Sequence, residues 1–560
     1  MIAEAPAKLT RNEGLKTSNP LLAGTIPQTL ADSAVERFSE DDYEFLKFHG
    51  IYQQDDRDKR KAGKQYILMV RTKFPGGVLS APQYIVCDDL ASNYGNNTLR
   101  ITTRQDFQFH GIVKSNLRQT MHSLNEALMS TIAACGDVER NVMAPPTPAT
   151  SPLVEQVLEE ARKLSDLLAP KTPAYHGIWL DGNKLDISPD ANAQFTDPLY
   201  GKCYLPRKFK TGFAIPPLND IDIFTNDLGF VVLEENGKLA GYNLLAGGGM
   251  GMSHGNAQTF PRLADVIGFL RPENLEEVAK AVLTIHRDFG DRTNRKHARL
   301  KYVLEERGVD WFRIEVEQRA GIKLEPARAF EFTRQGDLLG WHQQTNGNYF
   351  LGLFVENGRI RDQQGYQLKT GLRRVMDKFP REVRLTASQN LLLVDVPPGE
   401  KSAIETLLAE HGVSVSNPFS RTRIASMACP ALPTCGLALA ESERTLPDLL
   451  TDFENLLAEV GLKDEEIVIR MTGCPNGCAR PYMAEVAFVG KGPNKYQLYL
   501  GGNEPCTRLN KVFKESVKGE DLLNELRPLL VRYRQERLGN ERFGDFCARV
   551  IWSETQEAKV

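Results

Sequence analysis

The chain has 560 residues, 41% of them hydrophobic and 25% charged, and a formal net charge of -3. That length exceeds a single core and predicts roughly three or four domains; the near-neutral balance excludes a global field for nucleic acid, and no apolar run approaches the roughly 20 residues that span a bilayer. Nine cysteines, an odd number over such a length, argue against a disulfide framework and for a reducing compartment.

Residues 1 to about 40 mix small, polar and apolar residues without a sustained period and read as an irregular arm. They lack the apolar core of a signal peptide, so the expected location is cytoplasmic. From Asp41, DDYEFLKFHGIYQQDDRDKRKAGKQ reads as a charged loop. QYILMVRTKFPGG then alternates and ends at Pro75-Gly76-Gly77, a strand running into a tight turn. TLRITTRQDFQFHGIV reads as a second strand, with Leu99, Ile101 and Thr103 on one face and Arg100, Thr102 and Arg104 on the other. Ser151-Pro152 opens a helix carried by Val154, Val157, Leu158, Ala161, Leu164 and Leu168, and Pro170 ends it. YLPRKFKTGFAIPP is strand-like and carries Arg207, Lys208 and Lys210. Two strands follow, joined by Glu235-Asn236-Gly237, and then a glycine loop, Gly247 to Gly251. The loop lacks the third glycine of the dinucleotide fingerprint and follows a hairpin, so it is no nucleotide site. A helix is expected from Pro272 to His286.

The later half echoes the earlier one. VRLTASQNLLLVDVP (383–397) matches LRITTRQDFQFHGIV (99–113), and YFLGLFVENGRI precedes the first as QYILMVRTKFPGG precedes the second. AEVAFVGKGPNKYQLYLGGN (484–503) likewise matches DLGFVVLEENGKLAGYNLLAGGG. The order A, B, A′, B′ implies a duplicated α+β protein with pseudo-two-fold symmetry and a shared site at the interface.

Only the second B unit carries the clustered cysteines, in SMACPALPTCGLA and RMTGCPNGCARPYM. Cys429, Cys435, Cys474 and Cys478 offer four soft ligands, and Pro430, Pro475 and Gly477 let the backbone turn around a bulky core. A four-iron cluster and a structural zinc both take four thiolates; the first pair is wider than zinc ribbons favour, which points to iron–sulfur. Cys87, Cys135, Cys203, Cys506 and Cys547 are scattered and read as small buried hydrophobes.

With these motifs the chain resembles the sulfite and nitrite reductase hemoprotein family. CPALPTC with TGCPNGCARP is similar to that family's cluster signature, and FHGIYQQDDRD, RTKFPGG, TTRQDFQFHGI, ERNVM, LPRKFKT, NDIDIFTNDLGFV and ENGKLAGYNLLAGGG match it in order from Leu46 to Phe546. The resemblance implies duplicated ferredoxin-like units around a siroheme and a [4Fe-4S] cluster, with an arm at 1–45, a half-domain at 46–132, a siroheme- and sulfite-binding repeat at 133–325, a second half-domain at 326–410 and the cluster-bearing repeat at 411–560. It also implies six-electron reduction of sulfite to sulfide. Cys429, Cys435, Cys474 and Cys478 hold the cluster in that pattern, and Cys478 is shared with siroheme iron. Arg71, Arg140, Lys208 and Lys210 fall where the family binds sulfite and feeds it protons. Arg100, Arg104, Arg207 and His110 fall near the macrocycle carboxylates; for His110 a hydrogen-bonded core role competes, and the role of Arg299 stays open. QQDDRD and the chain length are similar to members that form a hetero-oligomer with an NADPH-dependent flavoprotein (alpha) subunit rather than to ferredoxin-dependent ones. The N-terminal arm is the candidate docking segment. A siroheme nitrite reductase is the nearest rival reading, and a zinc-stabilised structural protein the rival from another class.

Overall fold

The computed structural model describes residues 8–148, 151–172, 178–180, 183–185, 195–416 and 418–557. Four sheets, in two matched pairs, carry the duplication. The first half-domain sheet runs Ile51–Asp55, Tyr66–Arg71, Phe107–Ile112, Leu99–Ile101, Arg359–Ile360 in spatial order; the second runs Gly340–Gln343, Tyr349–Leu353, Leu391–Val396, Val383–Leu385, Val78–Leu79. Each sheet therefore ends in a two-residue strand donated by the other half. The exchange depends on glycine. Gly77 and Gly358 have φ of 78° and 72°, and a Cβ there would stand 2.3 Å from the Leu385 carbonyl and 2.4 Å from the Ile101 carbonyl respectively. Those two carbonyls occupy matching places in the repeat, and the matching glutamines reach them: Gln105 donates to Leu385 at 3.1 Å and Gln389 to Ile101 at 3.5 Å.

The other two sheets match as well. In the first repeat Thr211–Ala214 lies parallel to Leu228–Glu235, which pairs antiparallel with Lys238–Ala246 and then Asp265–Leu270. In the second, Ile469–Thr472 lies parallel to Val486–Gly492, followed by Lys495–Leu500 and Lys511–Lys518. The Leu228/Lys238 hairpin turns at Asn236-Gly237, both in the left-handed region, as a two-residue turn requires. Each sheet is followed by a helix, Leu275–Phe289 in the first repeat and Leu522–Glu536 in the second. The first buries Leu275, Val278, Ala279, Val282, Leu283 and His286 at helical spacing, with Glu276 and Glu277 in the first turn and His286 and Arg287 in the last, the polarity that the helix dipole favours.

Three expectations need correction. The segment read as one strand over 98–113 is a hairpin: Leu99–Ile101 and Phe107–Ile112 flank a turn in which Gln105 has φ 59° and Thr102 donates its N–H to Asp106. Arg104 is thus a turn residue. The charged stretch after Asp41 forms the helix Glu40–Phe48, capped by Ser39, then strand Ile51–Asp55 and a 3-10 turn, Arg57–Ala62. The N-terminal arm, of which residues 1–7 lie outside the described residues, is not irregular from Leu9 onward. Its helix Arg11–Ser18 buries Glu13 and Lys16. Lys16 reaches the Leu205 carbonyl at 2.6 Å and Asp137 at 3.5 Å, while Arg292 pairs with Glu13. Lys16 also pairs with Glu13 at 2.6 Å, while Leu205, Asp137 and Arg292 lie more than a hundred residues away and leave no local signal.

Candidate functional site

The site lies where the second repeat's cysteine turns meet the first half. Cys429 follows the short strand Met427–Ala428, and its Sγ accepts the Gly473 N–H at 3.3 Å. Cys474 follows strand Ile469–Thr472 by two residues and accepts from Asn476 Nδ2 at 3.4 Å. Gly477 has φ 64°, with the Tyr482 ring 3.0 Å and Met250 3.3 Å from where a Cβ would be; only glycine turns there without displacing a neighbour. Cys429 and Cys474 are buried, Cys435 is half-buried and Cys478 is exposed. Burial, then the neighbouring Cys478, pushes the thiols of Cys429, Cys435 and Cys474 up, Cys474 to about 12. Thiols so placed ionise when a metal supplies the positive charge. Among the described residues no three His, Cys, Asp or Glu side chains stand close enough to hold a single ion. Four thiols near enough to perturb one another fit the four-thiolate donor set of a [4Fe-4S] core.

Cys478 is within electrostatic reach of Arg71, Arg100 and Lys208. The backbone explains why the two lysines share one side. Phe209 forms a parallel bridge with Glu139, its N–H donating to Val138 and its carbonyl accepting from Arg140. Its ring is fully buried and stacks on His286 with centroids 5.8 Å apart, so alternation turns Lys208 and Lys210 the other way. Among the described residues neither ammonium has a hydrogen-bond or ion-pair partner. Burial and then Arg299 lower Lys208 to about 7; burial and then Arg104 carry Lys210 well below the ordinary lysine range. Both remain half-accessible, recessed among protein atoms rather than sealed.

Arg71 ends strand Tyr66–Arg71 and donates from Nη1 to the Ala134 carbonyl at 3.5 Å. Arg140 donates from Nε to Gly136 at 2.9 Å and from Nη1 to Ala134 at 3.3 Å. Both keep N–H groups beyond these bonds; Arg71 and Lys208 are within electrostatic reach of Cys478, and Arg140 and Lys210 are within reach of Lys208. The expected macrocycle contacts divide. Arg207 is held by Asp137 at 3.8 Å, the carboxylate that also takes two bonds from Arg295. His110 is buried with Nδ1 unpartnered. Arg100 and Arg104, in contrast, are committed within the protein. Arg100 pairs with Glu443 at 2.9 Å and donates to Asn357 and Ala428; burial pushes Glu443 up, but Arg359 and Arg100 outweigh it and hold the carboxyl at about 2. Arg104 donates to Asn226, Asn141 and Thr211, leaving only Nε unpartnered.

Sequence reasoning missed the residues that aim the glycine loop. Lys301 donates to the carbonyls of Gly249, Gly251 and Phe260, and Arg299 pairs with Asp227 at 2.7 Å while reaching the Gly248 carbonyl at 3.3 Å. The loop then meets the cysteine turn through Met252 N–H to Pro475, 3.1 Å. Arg299 is therefore a strut. Neither residue carries a local motif, and only the fold shows what they hold.

The model of the nitrite and sulphite reductase 4Fe-4S domain matches residues 159–324, and that of the nitrite/sulfite reductase ferredoxin-like half domain matches 59–127 and 342–411. A "Sulfite reductase [NADPH] hemoprotein beta-component" of Staphylococcus haemolyticus is 48% identical over 98% of this chain and 96% of its own length. The chain belongs to the nitrite and sulfite reductase family. Proteins of the same name from Oceanobacillus iheyensis and Geobacillus kaustophilus are each 48% identical, over 99% and 96% of this chain and 96% and 95% of theirs. The Mycobacterium tuberculosis NirA structure, at 23% identity, shares the family fold with a TM-score of 0.78 over 97% of this chain and 96% of its own. The two half-domain matches fall one in each half, as the duplicated ferredoxin-like architecture requires. No described helix is long and apolar enough to cross a membrane.

Proposed function

We propose that the chain is the hemoprotein component of an NADPH-dependent sulfite reductase, reducing sulfite to sulfide with six electrons that reach it from a flavoprotein partner in a hetero-oligomer. The single observation that carries this reading is the meeting of four clustered thiols, one of them exposed, with two unpartnered lysines across the repeat interface. The thiols fit a [4Fe-4S] cluster held by Cys429, Cys435, Cys474 and Cys478. The basic recess beside Cys478, with its unpartnered Lys208 and Lys210 ammonium groups and the orphaned His110 Nδ1, fits an anionic siroheme sharing Cys478. When bound, these groups would supply the electrons and the iron chemistry for sulfite reduction.

The chain's own residues do the rest. Arg71 and Arg140 offer planar forks to two oxygens of the oxyanion. Lys208 and Lys210 add charge and protons: an ammonium lowered to about 7 gives up its proton near neutral pH at little cost. Three oxygens leave as water, so each takes two protons, and a donor that reloads from solvent is needed; the half-accessible lysines meet that need. Arg207, set by Asp137, and His110 line the macrocycle, and Arg100 and Arg104 shape its wall through their protein bonds. Nine free thiols support a reducing, cytoplasmic location.

The family also contains nitrite reductases, and the two substrates separate by kinetics with reduced methyl viologen. The reading predicts a higher kcat/KM for sulfite than for nitrite; the reverse order would replace it with the nitrite assignment.

A further inference from the structure

Asp222 and Arg480 occupy the same position in the two repeats, relative to the strands that follow them. Each is the residue before a three-residue 3-10 turn, Ile223–Thr225 and Pro481–Met483, and each turn leads into the strand beside the parallel one, Leu228–Glu235 and Val486–Gly492. Each is left-handed, with φ/ψ of 50°/60° at Asp222 and 51°/49° at Arg480. The hydrogen bonds after them match too: Gly248 N–H donates to Asn226 and Gly502 N–H to Ala484. The equivalent residues carry opposite charge and meet across the pseudo-two-fold axis, Arg480 Nε donating to Asp222 Oδ2, with Arg470 Nη1 on the same oxygen at 2.6 Å.

The rest of the Arg480 guanidinium respects the same axis. Nη1 donates to the Thr103 carbonyl and Nη2 to the Ala387 carbonyl, both at 2.9 Å. Thr103 and Ala387 are themselves equivalent, in LRITT and VRLTA. One side chain thus spans both half-domains and the first repeat while its backbone sits two residues after Cys478. A fourth bond closes the arrangement, Thr103 Oγ1 to the Cys478 carbonyl at 2.9 Å. Aspartate tolerates the left-handed region, but Arg480 is held there at a cost that the surroundings must impose, and such strain gathers at functional sites.

We infer that the Asp222–Arg480 pair positions the Cys478 thiolate by tying its turn to both half-domains at once, and so sets how closely the cluster and siroheme are coupled. The fork is what the geometry needs: rotation of either half-domain stretches one of two symmetric bonds, so Cys478 stays centred between them. A lysine at this position carries its three donors on one nitrogen, whereas the guanidinium spreads them over three nitrogens in a rigid plane, each aimed at a separate acceptor: Asp222, Thr103 and Ala387. Arg480 is a positioning residue and does not touch substrate. This rests on the reading of Cys478 as the shared ligand.

The test is Arg480→Lys, which keeps the charge and loses the fork. The expected variant retains wild-type iron content but shows a changed EPR signature of coupling between siroheme and cluster. Its kcat for sulfite with reduced methyl viologen falls about 10²-fold, the effect of a misplacement near 1 Å, while KM stays within about threefold. Asp222→Asn, nearly isosteric, shifts the same signature in the same direction by less, and it decides the matter if Arg480→Lys does not accumulate folded. Wild-type spectra and kcat in the folded variants overturn the inference. Wild-type protein lacking both prosthetic groups overturns instead the function on which it rests.

Discussion

The two repeats fold alike and have been put to opposite uses. Thr211–Ala214 and Ile469–Thr472 are equivalent strands, each parallel to the next. The backbone entering the first presents Lys208 and Lys210; the turn leaving the second presents Cys474 and Cys478. Neither set works alone: thiols pushed up by burial need positive charge, and lysines pushed down by burial need an anion. Duplication supplies both within one chain, and the symmetric contacts at Gly77 and Gly358 join the two half-domains.

Breaking the cysteine side has the largest expected effect. Cys478→Ser removes the thiol that faces the first repeat, and both siroheme absorbance and cluster iron should be lost from purified protein; a normal siroheme spectrum would refute its proposed shared role. Breaking the cation side should leave the spectrum intact. Lys208→Ala and Lys210→Ala are each expected to lower sulfite kcat by about 10²-fold or more, the contribution of a general acid, and unchanged turnover would remove them from the site.

The pH dependence sharpens the contrast. Lys208 is charged in the folded protein only below about 7, so turnover should fall as pH rises through 7, and Lys208→Arg, whose charge persists, should flatten that limb.

Symmetry itself can be tested through the backbone. Gly77→Ala and Gly358→Ala each force a Cβ against a carbonyl at positive φ. Each should cost about 2 kcal/mol or more in denaturant unfolding, and a large inequality would show that one exchanged strand matters more. The smallest effect concerns stability. Between pH 7 and 10.5 the unfolded chain holds a Lys208 proton that the folded chain has lost, so this group makes stability rise with pH across that window. Lys208→Met should therefore raise Tm at pH 6 by about 2 °C, a gain that fades toward pH 10.5.

The cysteine pairs, the glycine turns and the duplication were legible because each is local or repeats in register. Cys478 with Gly477 could be read from ten consecutive residues. The hairpin at Thr102–Asp106 could not, since Arg100, Thr102 and Arg104 keep alternating through a turn that only the backbone reveals. Arg100 and Arg104 looked like free cations because Glu443 and Asn226 lie far off in sequence. The buried Lys16 left no sign in the sequence for the same reason, since Asp137 and Leu205 are equally remote. Asp222 and Arg480 were within reach of the repeat alignment, which began a few residues after each of them.

The central claim is that Cys429, Cys435, Cys474 and Cys478 hold an iron–sulfur cluster joined to siroheme. Visible absorption with metal analysis of freshly purified protein tests it most directly. The account predicts siroheme bands and about five irons per chain, four in the cluster and one in the macrocycle. A colourless protein carrying one zinc would contradict it.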